Sequence, residues 1–80
     1  MATMVKKLQK SLRKGIVKFQ FIKNDGTLRT AQGTMNEEII KTLYDYRGGQ
    51  GPERYGYTTY WDVEKGGFRC FDERRLVAIL

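Results

Sequence analysis

Residues 57–80 read YTTYWDVEKGGFRCFDERRLVAIL, from Tyr57 to Leu80. Residues 57–63 are dense in β-branched and aromatic side chains, which suit a pleated, half-buried surface. Glu64-Lys65-Gly66-Gly67 reads as a hairpin turn, and Phe-Arg-Cys-Phe at 68–71 returns as a second strand. Asp72 to Arg75 is a short polar connection, long enough for one helical turn. Residues 76–80, Leu-Val-Ala-Ile-Leu, are apolar throughout and predict a strand covered on both sides.

A second hairpin lies upstream. In residues 16–23, Val17, Phe19 and Phe21 alternate with Lys18 and Gln20, the period of a strand with one apolar face. Asn24-Asp25-Gly26 is the strongest turn signal in the chain. A two-residue turn at Asn24-Asp25 or at Asp25-Gly26 returns residues 27–33 with Leu28 and Thr30 beside Phe19 and Phe21. Arg29 and Ala31 then join Lys18 and Gln20 on a mildly basic face. Residues 36–44 predict a short helix, with Ile39, Ile40 and Leu43 buried. Thr34 and Glu37 have capping-box spacing, and Asn36 is a competing cap. Residues 45–56, with Arg47-Gly48-Gly49-Gln50-Gly51-Pro52, form a loop.

Residues 3–14 predict an amphipathic helix, capped by Thr3 and closed by a left-handed Gly15. Met1, Val5, Leu8 and Leu12 form its apolar stripe, and Lys6, Lys7, Lys10, Arg13 and Lys14 fall on the opposite side. Five short strands in 80 residues predict a mainly β fold that closes to protect its edges. The expected architecture is a five-stranded SH3-like or Sm-like barrel with an N-terminal basic helix and a short helix between strands 2 and 3. Eighty residues make one domain, with the helix at 1–14 and the barrel at 15–80.

The segment from Tyr60-Trp61-Asp62-Val63 through Gly66-Gly67-Phe68-Arg69-Cys70-Phe71, followed by Arg74, Arg75 and Leu76, resembles the end of the WYL domain. The hairpin from Gly15-Ile16-Val17-Lys18-Phe19 to Gly26-Thr27-Leu28-Arg29 is similar to small stand-alone WYL-like proteins of bacteria and phages. The resemblance implies an Sm-like SH3-type barrel and a regulatory module that senses ligands or nucleic acid. It aligns Arg69 with the family's Arg-x-Phe arginine, and Arg75 with the basic residue before the last strand.

Composition narrows the chemistry. The chain has no histidine and one cysteine, Cys70, so a Ser-His or Cys-His nucleophile and an internal disulfide are excluded. Glu37-Glu38 and Asp72-Glu73 are adjacent in sequence, so their side chains diverge and make poor acid–base pairs. We therefore expect a non-enzymatic binding module with no catalytic residues, cofactor or metal. Cys70, Trp61 and the four phenylalanines are expected in the core. No apolar run is long enough for a bilayer or shaped like a signal peptide, which points to the cytoplasm of a bacterium or phage-infected host, or to a virion, and away from a membrane.

The net charge is +6, of which residues 1–15 carry +5 and residues 35–80 carry −1. A polyanion would meet the N-terminal third first. The expected partner is nucleic acid, bound by Lys6, Lys7, Lys10, Arg13, Lys14, Lys18 and Arg29. Tyr46, Tyr55 and Tyr57 are candidates for stacking on unpaired bases. Arg69, Arg74 and Arg75 are a candidate anion or ligand site, since planar guanidinium groups suit phosphate. The alternatives are a protein-interaction module of a phage or mobile element docking on a larger host or virion protein, and a WYL-type sensor of a phosphate-bearing ligand. So small a core also leaves self-association open.

Overall fold

The computed structural model describes residues 2–44 and 54–80. Helix α1 (Ala2–Lys14) leads into strands β1 (Val17–Ile22) and β2 (Leu28–Thr34), and then into helix α2 (Glu37–Leu43). Strands β3 (Tyr57–Asp62) and β4 (Gly67–Asp72) follow, then a 3-10 turn (Glu73–Arg75) and β5 (Leu76–Ile79). The sheet is antiparallel throughout, in the order β4-β3-β2-β1-β5. The expected mainly β architecture and helix placement are therefore observed.

The core forms between the sheet and α1. Val5, Leu8 and Leu12 pack with Phe19, Phe21, Ala31, Tyr60, Phe71 and Leu76. The ring of Phe19 meets that of Tyr60 edge-on at 5.0 Å. A Cβ on Gly33 would lie 2.5 Å from Tyr60 Cδ2, so only glycine lets this ring rest on the β2 backbone. A second aromatic group forms on the other face of β3 and β4. There Trp61 contacts Tyr44 and the half-buried Phe68, with centroids 5.1 and 5.0 Å apart.

Several local expectations are corrected. The β1–β2 turn holds three residues, with Lys23 N–H donating to the Thr27 carbonyl and Gly26 at φ +88°. One extra loop residue inverts the parity of β2, so Phe21 faces Arg29 and Phe19 faces Ala31. Arg29 and Ala31 therefore point into the barrel, and Leu28 and Thr30 point out. Asn36, and not Thr34, caps α2, accepting from Ile39 N–H at 3.2 Å. Thr34 is buried and donates instead to the Leu12 carbonyl. Leu43 is exposed, which leaves Ile40 as the buried residue of α2.

Helix α1 begins before Thr3, which lies inside its first turn. Gly15 is not left-handed. The last carbonyls of α1 are satisfied by residues 34–36: Met35 N–H donates to Leu12, and the Asn36 amide donates to Arg13. Strand β5 pairs with β1 and leaves Val77 exposed, so it is not covered on both sides. Cys70 is exposed because it lies on the face of β4 opposite Phe71.

Candidate functional site

The apolar stripe of α1 is clamped into the core, and the polar side of the helix is fixed as well. The Gln9 amide donates to Thr58 Oγ1 and Glu73 Oε2, tying α1 to the start of β3 and to the 3-10 turn. Lys6, Lys7, Lys10, Arg13 and Lys14 are all exposed, within an arc of about 120° at 3.6 residues per turn. Among the described residues none of the five pairs with a carboxylate. From Lys6 to Lys14 the helix rises about 12 Å. Lys18 is exposed on the outer face of β1.

Arg29 does not join this face. Its guanidinium donates to Asp62 Oδ2 at 2.6 Å, and its side chain is 23% exposed against 0% for Asp62. The other oxygen of Asp62 accepts from Glu64 and Lys65 N–H, holding the β3–β4 turn. Pairing of β2 with β3 is confined to Gly33–Asp62 and Thr34–Trp61. Beyond these rungs a cleft of about 420 Å³ opens, lined by Arg29, Arg54, Arg69, Tyr57 and Tyr60 among others. Tyr60 pairs with Arg69 across the β3–β4 ladder. Burial pushes the Tyr60 phenol up to about 12, against the opposing pull of the Arg29 and Arg69 cations.

Of the three arginines read as one anion site, Arg69 stands apart, while Arg74 and Arg75 both approach Asp72 Oδ2, at 2.9 and 3.9 Å. Arg69 lines the cleft and is exposed. Arg74 forks onto Asp72, with contacts of 3.1 and 2.9 Å, and this holds the Asp72 carboxyl well below its usual range, at about 2. Arg75 donates to the Lys23 carbonyl at 2.8 Å and so fastens the start of the β1–β2 turn to the 3-10 turn before β5. Of the candidate stacking residues, Tyr55 is fully exposed. Tyr57 carries the Arg54 guanidinium 4.3 Å above its ring. Tyr46 lies outside the described residues, with the Arg47-Gly48-Gly49 stretch.

The family model described as WYL_2, Sm-like SH3 beta-barrel fold, matches residues 5–77. The chain belongs to the WYL_2 family. The resemblance carried by two segments of sequence thus extends from α1 into β5. Membership supports a small binding or regulatory module. No curated protein and no solved structure matches the chain. No helix among the described residues is long and apolar enough to cross a membrane.

Sequence reasoning missed that Arg54 and Tyr60 line one cleft with Arg69, and that Asp62 holds Arg29 beside it. A usable signal was present in β4. Phe71 faces inward, so period two also turns Arg69 inward, opposite Tyr60. Arg29 required the correct count of turn residues.

Proposed function

We propose that this WYL_2 protein binds the phosphate backbone of nucleic acid on the exposed face of α1. One observation carries the reading: five cations share one face of a helix whose opposite face is locked into the core, and no carboxylate pairs with them among the described residues. The helix backbone of this face is pre-organised, so binding has to order only the long lysine and arginine side chains. Lysine-dominated contact favours backbone over base sequence. Lys18 extends the contact along β1.

The test is fluorescence anisotropy with labelled single strands and duplexes at two salt concentrations. Contacts to three to five phosphates give a slope of log K against log salt of about −3 to −5 on duplex. Replacing Lys6, Lys7 and Lys10 together by Gln should make that slope shallower by about 3. Absent or salt-insensitive binding overturns the reading. The exposed Ile16 and Leu80 favour a second reading, a protein partner at the β1–β5 edge. Capture of one protein that survives nuclease and high salt would select it over the first.

A further inference from the structure

We propose that the cleft between the β1–β2 turn and the β3–β4 hairpin binds a phosphomonoester attached to a flat ring, with a nucleoside monophosphate as its simplest form. Arg29, Arg54 and Arg69 come from three separate segments and line one cavity. The volume of about 420 Å³ lies within the range of small-molecule sites.

Of these cations Arg29 is paired with Asp62, whereas the two carboxylates that line the cavity, Asp25 and Asp72, pair with neither Arg54 nor Arg69 among the described residues. Asp72 is engaged by the Arg74 fork, and Asp25 accepts from Thr27 N–H and Oγ1 within its own turn. Arg69 has no carboxylate partner among the described residues. Asp62 holds Arg29 through one nitrogen, which orients the guanidinium and leaves its other donors available. The ring has its own place. Tyr57, with Arg54 over it, forms a wall of the kind on which a nucleobase stacks, and Tyr60 lines the same cavity.

The cleft and the C-terminal end of α1 lie at opposite ends of β1 and β2. The Thr34 end of β2 carries the carbonyl contacts with α1, whereas the Ile22–Leu28 end opens on the cleft. Six residues of strand separate these ends by about 20 Å. Gln9 brings the middle of α1 to Thr58 and Glu73, beside cleft-lining Tyr57 and Asp72, but no helix cation lines the cleft, so the site and the nucleic-acid reading of α1 rest on different residues.

Calorimetric titration of the full chain with adenosine 5′-monophosphate, adenosine and inorganic phosphate tests the proposal. Binding of the monophosphate in preference to both fragments is expected. Arg69→Gln, at an exposed position outside every ion pair described above, should weaken it about 10- to 100-fold with the melting temperature unchanged. Arg54→Gln should weaken it as well. A tetranucleotide with and without a 5′-phosphate separates a strand end from a free nucleotide, and preference for either phosphorylated form supports the site. The variant with Lys6, Lys7 and Lys10 replaced by Gln should bind the monophosphate as the parent does, even where it loses long strands. No binding of any phosphorylated probe, equal binding of adenosine, or undiminished binding by Arg69→Gln overturns the proposal.

Discussion

Asp62→Asn removes the charge from a carboxylate with 0% exposure while keeping an oxygen of the same shape. Loss of one partner from a buried ion pair costs about 3–5 kcal/mol, because the survivor is left charged and dry. Two features lower that figure here. Arg29 keeps 23% of its side chain exposed and can rehydrate in part. The amide oxygen introduced by the substitution still accepts from the N–H groups of Glu64 and Lys65, which now reach Asp62 Oδ1 at 2.9 and 3.0 Å. The expected loss is about 2–3 kcal/mol, or about 10–20 °C in melting temperature for a chain of this size. Asp62→Ala should cost about 1 kcal/mol more, since the turn amides lose their acceptor. Arg29→Met strands the carboxylate instead, and the double variant should recover at least about 1.5 kcal/mol of the summed losses. Urea unfolding at neutral pH, followed through the single tryptophan, Trp61, measures all four. A loss under about 0.5 kcal/mol for Asp62→Asn, or strict additivity, would refute the assignment of this pair as the tie across β2 and β3.

Gly33→Ala forces a methyl against the Tyr60 ring and toward the Trp61 carbonyl, and should cost about 1–3 kcal/mol by chemical unfolding. Gly67→Ala, with open space around its Cβ, should be neutral or slightly stabilising in the same assay. The lowered Asp72 carboxyl, at about 2 against 3.8, stabilises the fold fully above about pH 4. That stability is lost as pH falls through 2, so the melting-temperature gap between the parent and Asp72→Asn should shrink over this window, and a pH-independent gap would contradict the pairing with Arg74. Cys70, being exposed, should titrate fully with a thiol reagent in the native protein. A requirement for denaturant would place it in the core.

The helix face was legible because a period of 3.6 is a property of the local sequence. Val5, Leu8 and Leu12 could be sorted from the lysines without knowing what they would pack against. The strands were legible for the same reason, through alternation and turn residues. What failed was parity across a turn. Asn24-Asp25-Gly26 supports loops of two or three residues, and that choice moves Arg29 from the solvent face to the interior. The cleft was illegible because it is made only when β2, the segment before β3, and β4 meet. No window of sequence contains Arg29, Arg54 and Arg69 together. Asp72 and Arg74 show the opposite case: two residues apart, they could be read as a pair, and they form one. Strand β5 was placed correctly, but its cover on both sides and the burial of Cys70 were not, because apolar composition was taken as burial, whereas short edge strands leave apolar groups in water.

The pairing of β1 with β5 sets the order in which the fold can assemble. Strand β1 finds β2 across a three-residue turn, and β3 finds β4 in the same local way, events on the scale of microseconds. Its other neighbour is distant, since Phe19 faces Ile79 sixty residues later in the chain. The Gln9 bond to Glu73 spans a similar separation. Closing loops of this length costs more chain entropy than closing either hairpin turn. Long-range closure and not hairpin formation therefore limits the rate, which places folding in the millisecond-to-second range of small barrels. Among the described strands, β1 is the first in chain order and among the last to acquire both its neighbours.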